Sequence, residues 1–464
     1  KTFNPVSSSG TYISYLYANI AGYQKIGSYT GTNSTSGPIV YTTDDGTATG
    51  TGGFEPAFLL IKGTQSTTQW LMIDNKRSTS NPRNKALFAN LSDAEGTNNS
   101  IDFFTNGFQP ITTDGDSNRA QNYIYLAIAA DKDTSVPTQA NSFSPTIYTG
   151  NGGTQNIYTP FAPDFTWLKA RTGAAESHVW NDTIRGISNS IYSNTTGAEY
   201  FASGVYNTSF NPNGFTVGDN TAGNYGVNGN GINYVSWNWK AGGLPTINNN
   251  GDITSIVSVN QNAGFSICSW NTQSSNGTYT IGHGLSSAPE LIINKDRDST
   301  SNWVVWSSEF STPADDFMYL NSSSAKSSST DSGSVITSTT FNTKTGHDFL
   351  TNKNIISYCF HSITGYQKVG FYNGSSSTVT ITTGFQPRFL IIKRSNGGND
   401  WIMYDTVRSG GTSMDDYLIP NSSSAEYANT SLVVNATSTG FTIASGLWAG
   451  INEAGGEYIY LAIK

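Results

Sequence analysis

GFQPRFLIIKR, residues 384–394, reads as a turn, a proline and a strand closed by basic side chains. The frame recurs as GFEPAFLLIK at 53–62, and a proline followed six residues later by a lysine occurs four times. The pairs are Pro56/Lys62, Pro163/Lys169, Pro289/Lys295 and Pro387/Lys393, enclosing AFLLIK, DFTWLK, ELIINK and RFLIIK. Eight residues beyond the lysine stands Trp70, Trp303 or Trp401, with His178 at nine in the second copy. Asp74, Asp182 and Asp405 follow at four residues, and Arg77, Arg185 and Arg408 three further on. The third copy carries Ser307 and Phe310 instead.

Each copy also opens and closes on an aromatic-rich strand, as GYQKIGSYTG (22–31) and YIYLAIA (123–129) do in the first. The closing strands of the other copies are YVSWNWK (234–240), ISYCFHS (356–362) and YIYLAIK (458–464). Self-similarity at this spacing marks a repeat architecture. The units are 22–131, 146–243, 264–363 and 364–464, with spacers at 132–145 and 244–263. ISYLYANIAGYQKIG (13–27) matches ISYCFHSITGYQKVG (356–370) across the junction of units three and four. Residues 1–21 therefore read as the closing strand of an upstream repeat; the other reading is a strand that pads the edge of unit one.

Short runs of Tyr, Ile, Val, Phe and Trp bounded by Gly, Asn, Ser or Pro are strand signals, and no segment sustains a helical period with caps. The best helical fragment, 81–95, reads better as a strand between two turns. The sequence predicts an all-β chain: a tandem array of four antiparallel β-sandwiches of jelly-roll or lectin-like type, extended along its length. In that frame the glycine turns the chain and the proline withholds a donor before pairing begins. The continuous apolar run implies a central strand covered on both faces, and the lysine marks where it surfaces.

Composition agrees. Hydrophobic residues make up 36% of the chain and charged ones 12%, both low, with Gly, Ser, Thr and Asn filling the difference. A net charge of −8 offers no basic stripe for nucleic acid. No apolar run approaches the roughly 18 residues of a membrane span.

Asp-x-x-Arg is the one repeated charged constellation. As chemistry it would bind a sugar or a carboxylate; as structure it is an Asp-headed turn with the arginine pairing the acid. Repetition at one frame position favours structure. TTDGDSN (112–118) sets Asp114, Asp116 and Asn118 at alternate positions, which makes calcium a candidate, but Arg119 stands where a helix-loop-helix site needs glycine. A polar hairpin tip is the plainer reading. Tyr225 and Trp448, in glycine-rich loops, are candidates to stack on sugar rings. The four histidines lack metal spacing, and no nucleophile elbow, phosphate loop or paired-carboxylate strand occurs. The sequence thus predicts no enzyme and no cofactor. Cys268 and Cys359 lie in the opening and closing strands of unit three, where a bridge is conceivable and two buried thiols are favoured.

SYCFHSITGYQKVGFYNG, GFQPRFLIIKR, WIMYDTVR and YVSWNWKAGG together resemble the tandem β-sandwich repeats of unknown function in structural proteins of tailed, mainly marine, bacteriophages. Such domains are similar in kind to concanavalin-like lectins. The resemblance implies a virion appendage, fibre, spike or capsid-surface decoration, outside the cell, with other virion proteins and a host-surface glycan as partners and a homo-oligomeric state. It carries no catalytic residue. The alternative is a carbohydrate-binding adhesin, and a polysaccharide depolymerase stands behind both.

Overall fold

The structure, a computed structural model, describes residues 15–20, 22–50, 53–97, 99–129, 142–173, 175–201, 206–218, 226–329, 335–345, 349–428, 433–445 and 449–464. Among these residues every regular element is a strand, and no helix is long and apolar enough to cross a membrane. Two compact units divide the chain, Lys1–Asp133 and Thr134–Lys464. The first holds one repeat, module 1, and the second holds three, modules 2 to 4.

Each module carries the same larger sheet, in the spatial order opening, closing, entry and following strand. The entry strands are Pro56–Gly63, Phe165–Ala170, Leu291–Asp296 and Phe389–Arg394. The following strands are Leu71–Asp74, Val179–Asp182, Val304–Ser307 and Ile402–Asp405. Closing strands Asn122–Ala129, Asn233–Trp239, Asn354–Phe360 and Glu457–Ile463 lie between opening and entry strands, antiparallel to both. A smaller antiparallel sheet completes each module, and there the look-alike GFQPI belongs, in strand Gly107–Pro110. Its glycine is required: a Cβ on Gly107 would sit 2.2 Å from the Val40 carbonyl oxygen. The fragment 81–95 holds a strand, Ala86–Phe88.

The inner face of each large sheet packs on its own small sheet. In module 1, Leu59, Ile61, Tyr123 and Tyr125 meet Val40, Ile101, Phe103 and Phe108. A tyrosine pair locks the opening strand to the closing strand in three modules. Tyr29–Tyr123, Tyr148–Tyr234 and Tyr372–Tyr458 stack with centroids 5.1, 5.1 and 4.8 Å apart.

The outer faces separate the two units. In modules 2 to 4 the entry strands are buried almost throughout, whereas Pro56–Gly63 alternates buried with half-buried positions. The continuous apolar run is thus two-sided only where another module covers it. Modules 2, 3 and 4 turn their outer faces onto one core that includes Phe165, Trp167, Trp237, Ile293, Tyr358, Ile391 and Leu461. An extended array is therefore not what residues 134–464 form. The stretch 244–263, expected as a spacer, contributes strands Thr246–Asn248 and Ser255–Asn260 to the edge of the third module's large sheet.

Candidate functional site: the junction of three modules

Register fixes which residues correspond. Opposite the middle of each entry strand, Leu60, Trp167, Ile293 and Ile391 pair with Leu126, Trp237, Tyr358 and Leu461 of the closing strands. Of these, Trp167, Ile293, Ile391 and Leu461 line a void of only about 20 Å³ among modules 2 to 4.

Around it the repeated residues form a ring of contacts. Trp303 Nε1 of module 3 donates to the Tyr192 carbonyl of module 2 at 3.0 Å. Trp401 Nε1 of module 4 donates to the Tyr319 carbonyl of module 3 at 3.0 Å. His178, standing in for tryptophan in module 2, reaches the Ile419 carbonyl of module 4 through Nε2 at 3.0 Å and closes the cycle. Its Nδ1 accepts from Trp167 Nε1 at 2.8 Å. A carbonyl can only accept and an indole N–H only donate, so the ring is the neutral Nε2–H tautomer. Burial, followed by the nearby Lys169 charge, holds its pKa well below the usual range.

The lysines repeat the cycle. Lys169, Lys295 and Lys393 Nζ donate to the carbonyls of Ser423, Thr196 and Ser323 at 3.1, 3.3 and 3.1 Å, each in the preceding member of the ring. All three are fully buried, and burial pushes each ammonium down to about 8. Lys62 of module 1 is half-buried, and its Nζ donates to the Thr68 carbonyl at 2.6 Å and to Thr68 Oγ1 at 3.0 Å. The expectation that the lysine marks where the strand surfaces is therefore corrected for all four copies. The turn that follows the strand folds back over the ammonium: Lys62, Lys295 and Lys393 each bond the carbonyl six residues on, of Thr68, Ser301 and Asn399. In modules 2 to 4 a neighbour's loop adds a further carbonyl and completes the burial.

Asp-x-x-Arg is the Asp-headed turn the spacing suggested. Asp182 Oδ1 accepts from the backbone N–H groups of Ile184 and Arg185, while Oδ2 takes Arg185 Nε at 2.6 Å. Arg185 also reaches Glu199 at 3.0 Å and the Trp180 carbonyl at 2.9 Å. Arg408 repeats the set with Asp405, Glu426 and the Met403 carbonyl, and Arg77 with Asp74, Glu95 and the Met72 carbonyl. In modules 2 and 4 the acid has one partner more. Tyr358 Oη of module 3 donates to Asp182 Oδ2 at 2.7 Å, and Trp237 Nε1 of module 2 donates to Asp405 Oδ2 at 2.9 Å.

The remaining side of the ring joins module 3 to module 4, and there the closing strand presents Leu461, which has no donor. Module 3 has Ser307 and Phe310 at the acid and arginine positions, both buried, and Phe310 shares a core with Leu461. An Asp there would keep an arginine and turn N–H groups, as Asp74 does, but would not gain the cross-module donor that Asp182 and Asp405 receive. Glu199 and Glu426 also bind Arg297 and Arg171 of the adjacent modules at 2.8 and 2.7 Å. Module 3 has Lys326 at that place, paired with Asp316 at 2.6 Å.

The other candidates resolve separately. Asp116 accepts from the Gln69 N–H at 2.7 Å and Asp114 from the Asp116 N–H at 2.8 Å. The buried Asn118 donates to the carbonyls of Ser34 and Thr112 and accepts from the Thr32 N–H. Asn228 and Asn452 make the same cross-ties in modules 2 and 4. Among the described residues no three His, Cys, Asp or Glu side chains gather to hold a metal ion. The asparagine cross-tie went unread in the sequence; its signal is an Asn five or six residues before Tyr123, Tyr234 and Tyr458 in the closing strands of modules 1, 2 and 4.

Tyr225 and Trp448 lie outside the described residues. Cys268 and Cys359 are free and buried, on diagonal positions of paired strands. Diagonal neighbours are about 7–8 Å apart, too far for a disulfide. Burial pushes the Cys268 thiol up to about 12.

No curated protein and no solved structure matches the chain. The model of a family described as "Domain of unknown function (DUF7483)" matches residues 138–464, which span the three-module ring, and again residues 2–131, which include module 1. The two matches together cover nearly the whole sequence, and the chain belongs to that family.

Proposed function

We propose that this chain is a non-enzymatic structural protein of a tailed bacteriophage particle, an appendage, spike or capsid-surface decoration in contact with other virion proteins. In this reading each pair of sheets closes as a jelly-roll sandwich. One observation carries it: in modules 2 to 4 the conspicuous charged and aromatic residues of the repeat lie in contacts between modules, not around a cleft. A catalytic carboxylate must be free to meet substrate, whereas Asp182 and Asp405 are fully buried and bonded on both oxygens. The family resemblance noted from the sequence supports the same assignment, at the virion surface. The test is immunogold labelling of intact particles with antibody to this chain. Gold on heads, tails or filaments is the expected result, and particles free of label under conditions that mark a known coat protein would refute it.

A second reading, a glycan-binding adhesin, has one observation in its favour. Tyr158 is 67% exposed and shares an open hollow of about 390 Å³ with Asn156, Asn211 and Asn213. A flat ring beside amide donors and acceptors suits a sugar face and its hydroxyls. Reproducible glycan-array binding abolished by Tyr158→Ala would favour it.

A further inference from the structure

The ring of modules 2 to 4 obeys a pairing rule. An acid at the Asp182 position accepts from a Tyr or Trp donor on the closing strand of the next module, and the same ring order sets Ser307 and Phe310 of module 3 toward Leu461, which shares a core with Phe310. Module 1 keeps the parts of a ring member without the burial. Its Asp74 and Arg77 side chains are 22% and 24% exposed, against 0% for both members of the other two pairs. Trp70 is 37% and Ile124 43% exposed, where the equivalent Trp401 and Ile459 are 3% and 2%.

Module 1 of a second copy does not satisfy the rule, because Asp74 would face Leu126 and gain no donor beyond those of its own turn. Module 1 instead matches module 4, which combines Asp405 with Leu461. Module 4 takes Trp237 of module 2 on its acid, and its leucine shares a core with Phe310 of module 3.

We propose that the outer face of module 1 is the third side of another ring, completed by two non-identical modules of the same repeat. One presents an aromatic N–H or O–H donor to Asp74, as module 2 does to Asp405. The other presents a small uncharged residue to Leu126, as module 3 does to Leu461.

Modules 2 and 3 carry that chemistry and serve as the probe. In a chimera, residues 1–364 of the chain are followed by a second copy of residues 22–131 in place of module 4. The grafted copy is expected to melt in a single transition with modules 2 and 3. Asp74→Ser in the graft, which removes the acceptor for Trp237, is expected to lower that transition by a few degrees. A graft that melts apart from modules 2 and 3, or that leaves them without a cooperative transition, overturns the proposal. So does an unchanged melting temperature in the Asp74→Ser chimera. In parallel, the parent chain is expected to sediment as a 49.7 kDa monomer. A trimer that Leu60→Glu dissociates would overturn the proposal in favour of further copies of this chain as the occupants.

Discussion

Tyr358→Phe removes one hydroxyl and little else, so it isolates the bond between modules 3 and 2. Tyr358 Oη donates to Asp182 Oδ2 at 2.7 Å, and both side chains are fully buried. A hydrogen bond to a charged group contributes about 1.5–3 kcal/mol. Asp182 keeps Arg185 Nε and two backbone N–H donors in the variant, so a loss of about 2 kcal/mol is the reasonable centre. Residues 134–464 form one unit around one core and should unfold together. With roughly 2.1 cal/mol/K of unfolding entropy per residue, that unit has about 0.7 kcal/mol/K, and its melting temperature should fall by about 3 °C. Differential scanning calorimetry of the full chain measures this. The cycle with Asp182→Asn should show coupling of about 1 kcal/mol or more. An unchanged melting temperature, or separate transitions for modules 2, 3 and 4, would refute the account of the junction.

Ser307→Asp should destabilise the unit by about 3–5 kcal/mol, since it buries a carboxylate with Phe310 in place of arginine. Leu461→Tyr in the same chain should restore part of the loss, read from urea midpoints. The three buried lysines make stability depend on alkaline pH. Their folded pKa of about 8 lies below the unfolded value near 10.4, so between those values the unfolded chain binds more protons and stability rises with pH. Below about 8 both states are protonated and that gain is absent. Above about 10 the buried tyrosines reverse the trend, because burial raises Tyr358, Tyr372 and Tyr404 and the unfolded chain loses phenolic protons first. Urea midpoints should climb from pH 7.5 to 9.5, and Lys295→Met should flatten the climb. Cys268 and Cys359 should resist a thiol-specific disulfide reagent in the native protein and react once denaturant is added, because burial disfavours both thiolates.

Much of the fold was legible in the sequence because it rests on local rules. Strand runs, turn glycines and the Asp-headed turn are each set by a few neighbouring residues, so self-similarity exposed four copies of one sheet. The cross-tie of Asn118 was not legible because its partners, Ser34 and Thr32, lie more than 80 residues away in the chain. The lysines were misjudged for a related reason. A strand pattern tells which side chains share a face, but not what covers that face. At Lys62 the cover is the module's own following turn, and at Lys169, Lys295 and Lys393 another module adds to it.

YIYLAIA and YIYLAIK make the division concrete. The sequence by itself determined that both are closing strands with the same alternation, and the structure gives them the same place in the sheet. Yet Ile124 is 43% exposed and Ile459 only 2%. Pairing and pleat depend on the strand's own residues, whereas burial of the outer face depends on which surfaces meet it. Whether an acid belongs at Asp182 or a serine at Ser307 is settled by the donor that the neighbouring module brings, and only the packed ring contains that neighbour.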